Sequence, residues 1–154
     1  MNIKLTHNLK TANHQELLAS LIASSEESVL CSGWIKPEGI LALAPAIEEA
    51  IIKNSKITIF SDRGHTKKNS AGIIANWPAV THLMAGKRHG TLHSKIYYFQ
   101  TGNEYTAVIG SANITNGGLS ASQELSVHLN GKVGDALQKE IRAHLNELQC
   151  HLQT

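Results

Sequence analysis

Apolar residues between positions 13 and 24 recur every three or four residues, a spacing that predicts an amphipathic helix with one buried stripe. Asn13 suits the N-cap position of that helix. The run at 28–35 is apolar almost throughout and predicts a buried strand. A dense apolar pattern over 39–53 predicts a second helix, in which Pro45 is expected to mark a break or a new first turn. Helix and strand therefore alternate early in the chain.

The pattern continues with this alternation and then adds a hairpin. In order, it predicts a strand at 56–60, a polar loop with phosphate-compatible groups at 61–65, a helix or partly ordered loop at 66–76, a short strand at 79–84 and a basic turn at 85–90. The turn-forming residues at 100–104 predict a hairpin whose strands end at Phe99 and begin at Tyr105. A further strand over 123–129 and a long amphipathic helix over 133–152 follow.

Length and composition agree with an ordinary globular protein. A chain of 154 residues fits one domain, and a content of 42% hydrophobic and 17% charged residues argues against a disordered or coiled-coil chain. We therefore predict an α/β fold, a mixed β-sheet flanked by helices in a single domain spanning 1–154. The net charge of +2 is mild, so no global basic field indicates nucleic acid, and an anionic substrate must be held locally.

Cysteine usage and the first residues favour a cytoplasmic protein. Cys31 and Cys150 form neither a Cys-x-x-Cys pair nor a disulfide framework, which favours a reducing compartment. The first residues lack the apolar core of a signal peptide, and no apolar run approaches the length of a membrane span, so we expect no stable membrane association. The nine histidines are dispersed, which predicts surface positions for most of them rather than one metal cluster.

The candidate chemistry starts from a row of polar and aromatic side chains. In a strand, side chains two apart share a face, so His93, Lys95 and Tyr97 are expected to lie side by side. A nucleophilic imidazole next to an ammonium is suited to phosphate chemistry. A second stretch is an apolar run that breaks abruptly into Gly-Ser-Ala-Asn, ending at Asn113. Such a break is expected where a buried strand delivers small polar groups to a site.

Several spacings together indicate a family. His-x-Lys at 93–95, Gly-Ser-x-Asn at 110–113 and Glu124 at the start of a strand resemble the pattern of the phospholipase D superfamily, in its compact branch of small bacterial endonucleases. The resemblance is strong in the central and C-terminal part and rests on a compatible order of elements in the N-terminal half. It implies a phosphodiesterase, with a nucleic-acid endonuclease as the expected activity and DNA favoured over RNA as substrate.

The resemblance also implies a role for each matching residue. His93 would attack phosphorus and form a phosphohistidine. Lys95 and Asn113 would bind the non-bridging oxygens and stabilise the transition state. Ser111 would add a hydroxyl contact to the substrate. Glu124 would accept a hydrogen bond from the second ring nitrogen of a histidine and fix its tautomer.

The chain carries this set of residues once, whereas larger family members carry it twice. A phosphohistidine mechanism needs a second group that protonates the leaving oxygen and later activates water. We therefore expect a two-fold homodimer that brings the two His93 side chains together. No metal and no other cofactor are expected, because Lys95 and Asn113 supply the electrostatic stabilisation that Mg²⁺ supplies elsewhere.

Two features depart from the family pattern. Gln100 stands where the family often has an aspartate, which puts the fine geometry in doubt more than the activity. The gap between Lys95 and Gly110 is longer than in the shortest members, and this spacing resembles the branch of metal-independent restriction endonucleases.

Two other functions are compatible with the same residues. One is a phospholipase D-type lipid phosphodiesterase, and the other is a dimeric nucleic-acid-binding module without turnover. Outside the pattern, Arg63, His65 and the basic residues at 87–89 are expected to form solvated polar surface. Trp34 and Trp77 are expected to be core aromatic residues.

Overall fold

The computed structural model describes residues 1–10 and 13–154, in which seven strands form one sheet. The strands are β1 (Asn2–His7), β2 (Glu27–Ser32), β3 (Lys56–Asp62), β4 (Val80–Ala85), β5 (Lys95–Thr101), β6 (Glu104–Gly110) and β7 (Leu125–Lys132). The helices are α1 (His14–Ser24), α2 (Pro37–Ile52), α3 (Lys68–Ala75) and α4 (Ala136–Gln153). A 3₁₀ turn at Lys87–His89 and a π-helical turn at Gly117–Ala121 lie in the connections.

The sheet is mixed, as the sequence predicts. Its strand order is β1-β7-β6-β5-β2-β3-β4. The pairs β2–β3 and β3–β4 are parallel, and helical crossovers connect them. The pairs from β2 through β5, β6 and β7 to β1 are all antiparallel. The early alternation of strand and helix therefore builds the parallel part, and the hairpin builds the antiparallel part.

Two hydrophobic cores cover the two faces of the sheet. Leu18, Ile47 and Ile74 bring α1, α2 and α3 onto one face. Ile141 and Leu145 bring α4 onto the other face. Strand β5 serves both cores: Tyr97 and Phe99 face the first, whereas Ile96 and Tyr98 face the second, because successive strand side chains point to opposite faces.

The local signals that define element ends are confirmed. The Asn13 side chain accepts a hydrogen bond from the Glu16 backbone N–H at the start of α1. The predicted hairpin is present, and its turn places Gly102 at φ +52°, a conformation that favours glycine. The segment at 66–76, for which the sequence predicts a helix or a partly ordered loop, contains the helix α3.

Two expectations on local structure need correction. Pro45 does not break α2, which runs through it. Because Pro45 has no backbone N–H, the Leu41 carbonyl loses its hydrogen-bond partner within the helix. Both residues lie on the exposed face of α2, where water can bond to that carbonyl. Strand β1 was not predicted, although its residues alternate in polarity. Its apolar side chains Ile3 and Leu5 are 61% and 65% exposed, so β1 is an edge strand that buries little.

Within the described chain, no helix combines the length and the apolar character that crossing a membrane requires.

Candidate active site

The loops that carry the predicted site residues all lie at one edge of the sheet. This edge is formed by the ends of the strands and not by an outermost strand. The pairing directions place the C-terminal ends of β1, β6, β2, β3 and β4 at the same edge as the N-terminal ends of β5 and β7. Lys95 opens β5, Gly110 closes β6, and Glu124 immediately precedes β7. The fold therefore brings the three separate parts of the sequence pattern to a common edge.

His93 and Lys95 lie next to each other at this edge. The prediction that His93 lies in the strand with Lys95 is wrong, because β5 begins at Lys95 and the exposed His93 lies in the segment before it. Lys95 Nζ lies 3.2 Å from His93 Nδ1 and donates to the His93 carbonyl at 2.7 Å. Because an ammonium has no acceptor, Nδ1 accepts this bond, and in the neutral ring the proton is on Nε2.

Asn113 is oriented by the neighbouring loop. Its side-chain oxygen accepts a hydrogen bond from the Trp34 backbone N–H at 3.2 Å. The amide nitrogen consequently faces the other way, and no residue in the described chain accepts a hydrogen bond from it. Close packing fixes this segment, since a Cβ on Gly118 would lie only 2.1 Å from the Asn113 carbonyl oxygen. Asn113 therefore presents N–H donors from a fixed position.

Ser111 and Glu124 form a hydrogen-bonded pair at the same edge of the sheet. The Ser111 hydroxyl donates to the Glu124 carboxylate and accepts from the Leu125 backbone N–H at 3.1 Å. This pair fastens the end of β6 to the start of β7. The predicted bond from a histidine ring to Glu124 is not among these contacts and stays a prediction.

A buried network that the sequence interpretation missed supports the same loops. The Asn8 amide donates to the carbonyls of Gly118 and Ser122 at 2.9 and 3.0 Å, so its oxygen faces His14 Nδ1 at 2.8 Å. Nδ1 of His14 therefore carries the proton, and Nε2 accepts from the Ser126 hydroxyl at 2.8 Å. Burial lowers the pKa of His14, and the Glu124 carboxylate partly offsets this.

The signal for this network was present in the helical period. His14 lies four residues before Leu18, on the stripe that α1 buries, and it is fully buried. A histidine in an apolar stripe needs polar partners when it is buried, so this position predicts a buried hydrogen bond, although the helical period does not identify Asn8 as the partner.

Asp62 is a second residue that the sequence interpretation misplaced. It is the buried last residue of β3 rather than part of an open loop. Its carboxylate accepts from the backbone N–H groups of Leu92 and Gly64 and from the His65 ring, each at 2.9 Å. Burial alone would raise the pKa of Asp62, but the three hydrogen bonds together lower it. Asp62 thus fixes the backbone immediately before His93.

Gln100 has a structural role at the opposite end of β5. Its side-chain oxygen accepts from the Tyr98 hydroxyl at 2.7 Å and from Arg142 at 3.2 Å. Arg142 also forms a bidentate pair with Glu27, at 3.1 and 3.0 Å. The departure from the family pattern therefore affects the contact between the sheet and α4, not the edge with His93.

A cleft of about 450 Å³ opens beside the His93 and Lys95 pair. His144 of α4 lines this cleft as well and supplies a second imidazole that the sequence interpretation did not consider. Among residues 1–10 and 13–154, no group of three or more His, Cys, Asp or Glu side chains is arranged to hold a metal ion.

The two tryptophans differ in position. Trp77 is half-buried against the core under α1 and α2, close to what the sequence predicts. Trp34 is 39% exposed at the site edge, so the prediction of a core residue is wrong for it.

The chain has an α/β fold in which the imidazole of His93, the ammonium of Lys95 and the amide of Asn113 lie at one edge of the sheet. The model of the family described as cardiolipin synthase, PLD-like domain, matches residues 11–149. The chain therefore belongs to this phospholipase D-like family, which confirms the resemblance found in the sequence. The membership supports the predicted enzyme class, a hydrolase of phosphodiester bonds.

Solved structures show the same fold over most of the chain. NucT from Helicobacter pylori is 18% identical with a TM-score of 0.68, and the match covers 99% of this chain and 97% of that one. Nuc from Salmonella typhimurium, a phospholipase D family member, is 18% identical with a TM-score of 0.69, covering 97% and 93%. Yeast tyrosyl-DNA phosphodiesterase, in a mutant form, is 16% identical with a TM-score of 0.56, covering 86% and 32%. No curated protein matches the chain by sequence.

Proposed function

We propose that this protein is a metal-independent phosphodiesterase that cleaves nucleic acid, with DNA preferred, through a phosphohistidine in a site shared by two copies of the chain. The observation that carries the proposal is the exposed His93 ring beside the Lys95 ammonium, with the Asn113 amide fixed at the same edge. The likeness of its fold to Nuc and NucT supports the proposal, as does the description of Nuc as a phospholipase D family member.

In the first step, Nε2 of His93 forms a bond to phosphorus while the bond from phosphorus to the leaving oxygen breaks. A second imidazole protonates that oxygen. In the second step the same imidazole takes a proton from water, the water oxygen bonds to phosphorus, and the phosphorus–nitrogen bond breaks. The products are a phosphate monoester and an alcohol, and the enzyme returns to its initial state.

Attack by Nε2 requires that its lone pair is free, so the ring proton must move to Nδ1. In the structure Lys95 donates to Nδ1 instead. We expect the ammonium to turn from His93 to a non-bridging phosphate oxygen when substrate binds, because an anionic oxygen is the stronger acceptor. Nδ1 is then free to carry a proton and to donate it in a hydrogen bond to Glu124.

Lys95 and Asn113 stabilise the charge that develops on the phosphoryl oxygens. Lys95 offers a positive charge, and Asn113 offers N–H donors whose direction is fixed by the bond from its oxygen to Trp34. A preoriented donor of this kind contributes about 3–4 kcal/mol to transition-state stabilisation in other enzymes. Ser111 adds a hydroxyl, although its present contacts hold Glu124 and the start of β7.

The second imidazole comes from His93 of another copy. The pattern occurs once in the chain, and the exposed His93 at the sheet edge is accessible to a partner. His144 is the alternative within one chain, because it lines the same cleft. The alternatives differ in a measurable way, since only the first makes activity depend on a dimer.

The test is cleavage of plasmid DNA, a single-stranded oligonucleotide and RNA in the presence of EDTA, by the wild type and by His93→Ala in parallel. We expect the wild type to cleave DNA and the variant to be inactive. Loss of wild-type activity in EDTA, or undiminished activity of His93→Ala, would overturn the proposal. Binding of DNA with no cleavage and no covalent adduct between DNA and protein after a denaturing quench at alkaline pH, where phosphohistidine is stable, would favour the non-catalytic binding module.

A lipid phosphodiesterase is the second candidate, because the matching family is described by the name cardiolipin synthase. The same chemistry would transfer a phosphatidyl group. Release of headgroup from phosphatidylglycerol or phosphatidylcholine vesicles, with no cleavage of nucleic acid, would decide in its favour.

A further inference from the structure

An exposed pair of stacked aromatic rings lies beside the candidate active site. The Trp34 and His65 rings are nearly parallel, with an interplanar angle of 6° and centroids 4.9 Å apart. Trp34 is 39% exposed, and the His65 side chain is 41% exposed. Aromatic rings that are exposed to solvent lack the hydrophobic stabilisation that burial would give them. The exposed position of this stack therefore suggests a role other than stabilising the fold.

Hydrogen bonds hold both residues in place. The backbone N–H of Trp34 donates to Asn113, and its carbonyl accepts from the Ser32 hydroxyl at 2.7 Å. The His65 ring donates from Nδ1 to Asp62 at 2.9 Å. The stack is therefore preorganised and needs little ordering when a ligand binds.

The same anchors connect the stack to the proposed nucleophile. Gly33, next to Trp34, lies so close to the chain before β5 that a Cβ would be 2.5 Å from the Leu92 carbonyl oxygen and 3.3 Å from the His93 Cα. Asp62 joins the other ring to this segment, because its second oxygen accepts from the Leu92 N–H. A ligand on the stack would thus be next to a phosphate held at His93.

Positive side chains flank the stack. The segments around Trp34 and His65 run side by side, as the bridge between Ile35 and Thr66 shows. Three of these cations line one cleft: Lys36, Lys67 and Lys68. Arg63 and Lys87 line another, and Arg88 directly follows Lys87 in the sequence. They are six of the 14 lysines and arginines in a chain with a net charge of only +2. Glu38 is the carboxylate that shares the first cleft, and Asp62 is engaged by its three hydrogen bonds.

We propose that the Trp34–His65 stack binds an unpaired nucleobase adjacent to the scissile phosphate, while the flanking cations bind neighbouring phosphates of the strand. This inference rests on the proposed function and names its substrate class, single-stranded or locally unpaired nucleic acid. A flat π surface next to cations matches one unpaired base and its backbone, whereas a paired base in a duplex has its faces already covered. Lys36 Nζ lies 5.8 Å from the centroid of the Trp34 ring, close enough to bind a phosphate of the nucleic-acid strand whose base stacks there.

The kinetic test compares an oligothymidylate with a strand of the same length built from abasic tetrahydrofuran units. On oligothymidylate we expect Trp34→Ala to raise KM about 10- to 100-fold, the range of one lost base stack, with kcat nearly unchanged. Trp34→Phe should restore most of the affinity. On the abasic strand, both variants should equal the wild type. Trp77→Phe is the matched control and should behave as wild type on both strands.

Equal losses on the two strands would mean that Trp34 acts only on the local structure, and no loss on either would mean that the stack binds no base. Both results overturn the inference. Cleavage of the abasic strand by wild type but not by His93→Ala tests the proposed function separately, because that substrate offers no base.

A binding measurement keeps the inference testable even if no strand is cleaved. In Trp77→Phe, Trp34 is the single tryptophan, so its fluorescence reports the stack alone. We expect oligothymidylate to quench it and the abasic strand or a blunt duplex to leave it unchanged. Equal quenching by the abasic strand, or quenching by phosphatidylglycerol vesicles and not by oligothymidylate, would contradict base stacking.

Discussion

Asn113 is oriented by Trp34: its side-chain oxygen accepts the Trp34 backbone N–H at 3.2 Å, which leaves the amide nitrogen free to face the site. Because this bond fixes the side-chain oxygen of Asn113, it also fixes the direction in which the amide N–H groups can donate. The same bond joins the proposed phosphate site to the exposed aromatic stack, so the two parts share one rigid support.

Asn113→Asp separates these two functions of the amide. The carboxylate still accepts from Trp34, so we expect the melting temperature to stay close to that of the wild type. It has no N–H donor and repels the phosphate, so kcat should fall about 10²- to 10³-fold. Cleavage kinetics in EDTA together with thermal unfolding measure the two effects. An active Asn113→Asp enzyme would rule out the donor role.

Lys95→Met keeps the length of the side chain and removes its charge. Because Lys95 is only half-buried and its ammonium bonds to the exposed His93, we expect the free energy of unfolding to change by less than about 0.5 kcal/mol. Loss of the charge that stabilises the phosphoryl oxygens should lower kcat about 10²- to 10³-fold. Lys132→Met, which removes another lysine at the far end of the sheet, is the matched control and should retain activity.

Mixing of subunits tests the shared site. If two His93 rings act together, a dimer of wild type with His93→Ala lacks one of them. Adding an excess of His93→Ala should then suppress wild-type activity nearly completely after subunits exchange. His144→Ala should remain active in this case. Unchanged wild-type activity on mixing, combined with an inactive His144→Ala, would instead place the second imidazole within one chain.

The sequence predicts the helices and strands well where burial has a clear period. The Asn13 cap, the hairpin and the stripe of α4 all depend on neighbours a few residues apart, and they are present. Pro45 misled the prediction because its cost depends on whether the freed carbonyl faces water, which is a property of the folded surface.

The site is predicted less completely, because the burial and exposure of its residues are also properties of the folded surface. The spacing of His93, Lys95, Asn113 and Glu124 indicates one site because a family resemblance connects distant segments. Nothing local shows that Asp62 lies buried under the segment before His93, or that Trp34 is exposed. Both facts arise from contacts between loops that are 30 or more residues apart in sequence, such as the bond from Leu92 to Asp62.

Asp62→Asn tests whether Asp62 positions the nucleophile. An asparagine has one acceptor oxygen, so its amide would face an N–H donor of Gly64 or Leu92, and a buried donor would lose its partner. We expect a loss of about 1–3 kcal/mol in the free energy of unfolding. We also expect kcat to fall more than KM rises, because His93 follows directly after Leu92. Glu147→Gln, at an exposed carboxylate of α4, is the control and should leave kcat and stability unchanged.

Stability should fall as the pH is lowered below 6.5, and His82 should account for much of this. Burial, with a smaller effect of Arg63, lowers the pKa of His82 from 6.5 to about 4, and its Nε2 lies 2.8 Å from the Ser61 hydroxyl. Between these two pH values the unfolded chain binds a proton that the folded chain does not, so protonation favours unfolding. The loss is up to about 3 kcal/mol and is reduced by the partial exposure of the ring.

Urea unfolding of the wild type and of His82→Gln at pH 7, 5.5 and 4.5 measures this dependence. The glutamine keeps a polar partner for Ser61 and does not titrate, so the variant should lose less stability than the wild type as the pH falls. Some dependence should remain, because burial also lowers the pKa of His14 and His128. His144→Gln, at an exposed histidine, should follow the wild-type curve. If the stability of His82→Gln fell as steeply with pH as that of the wild type, folding would not lower the pKa of His82.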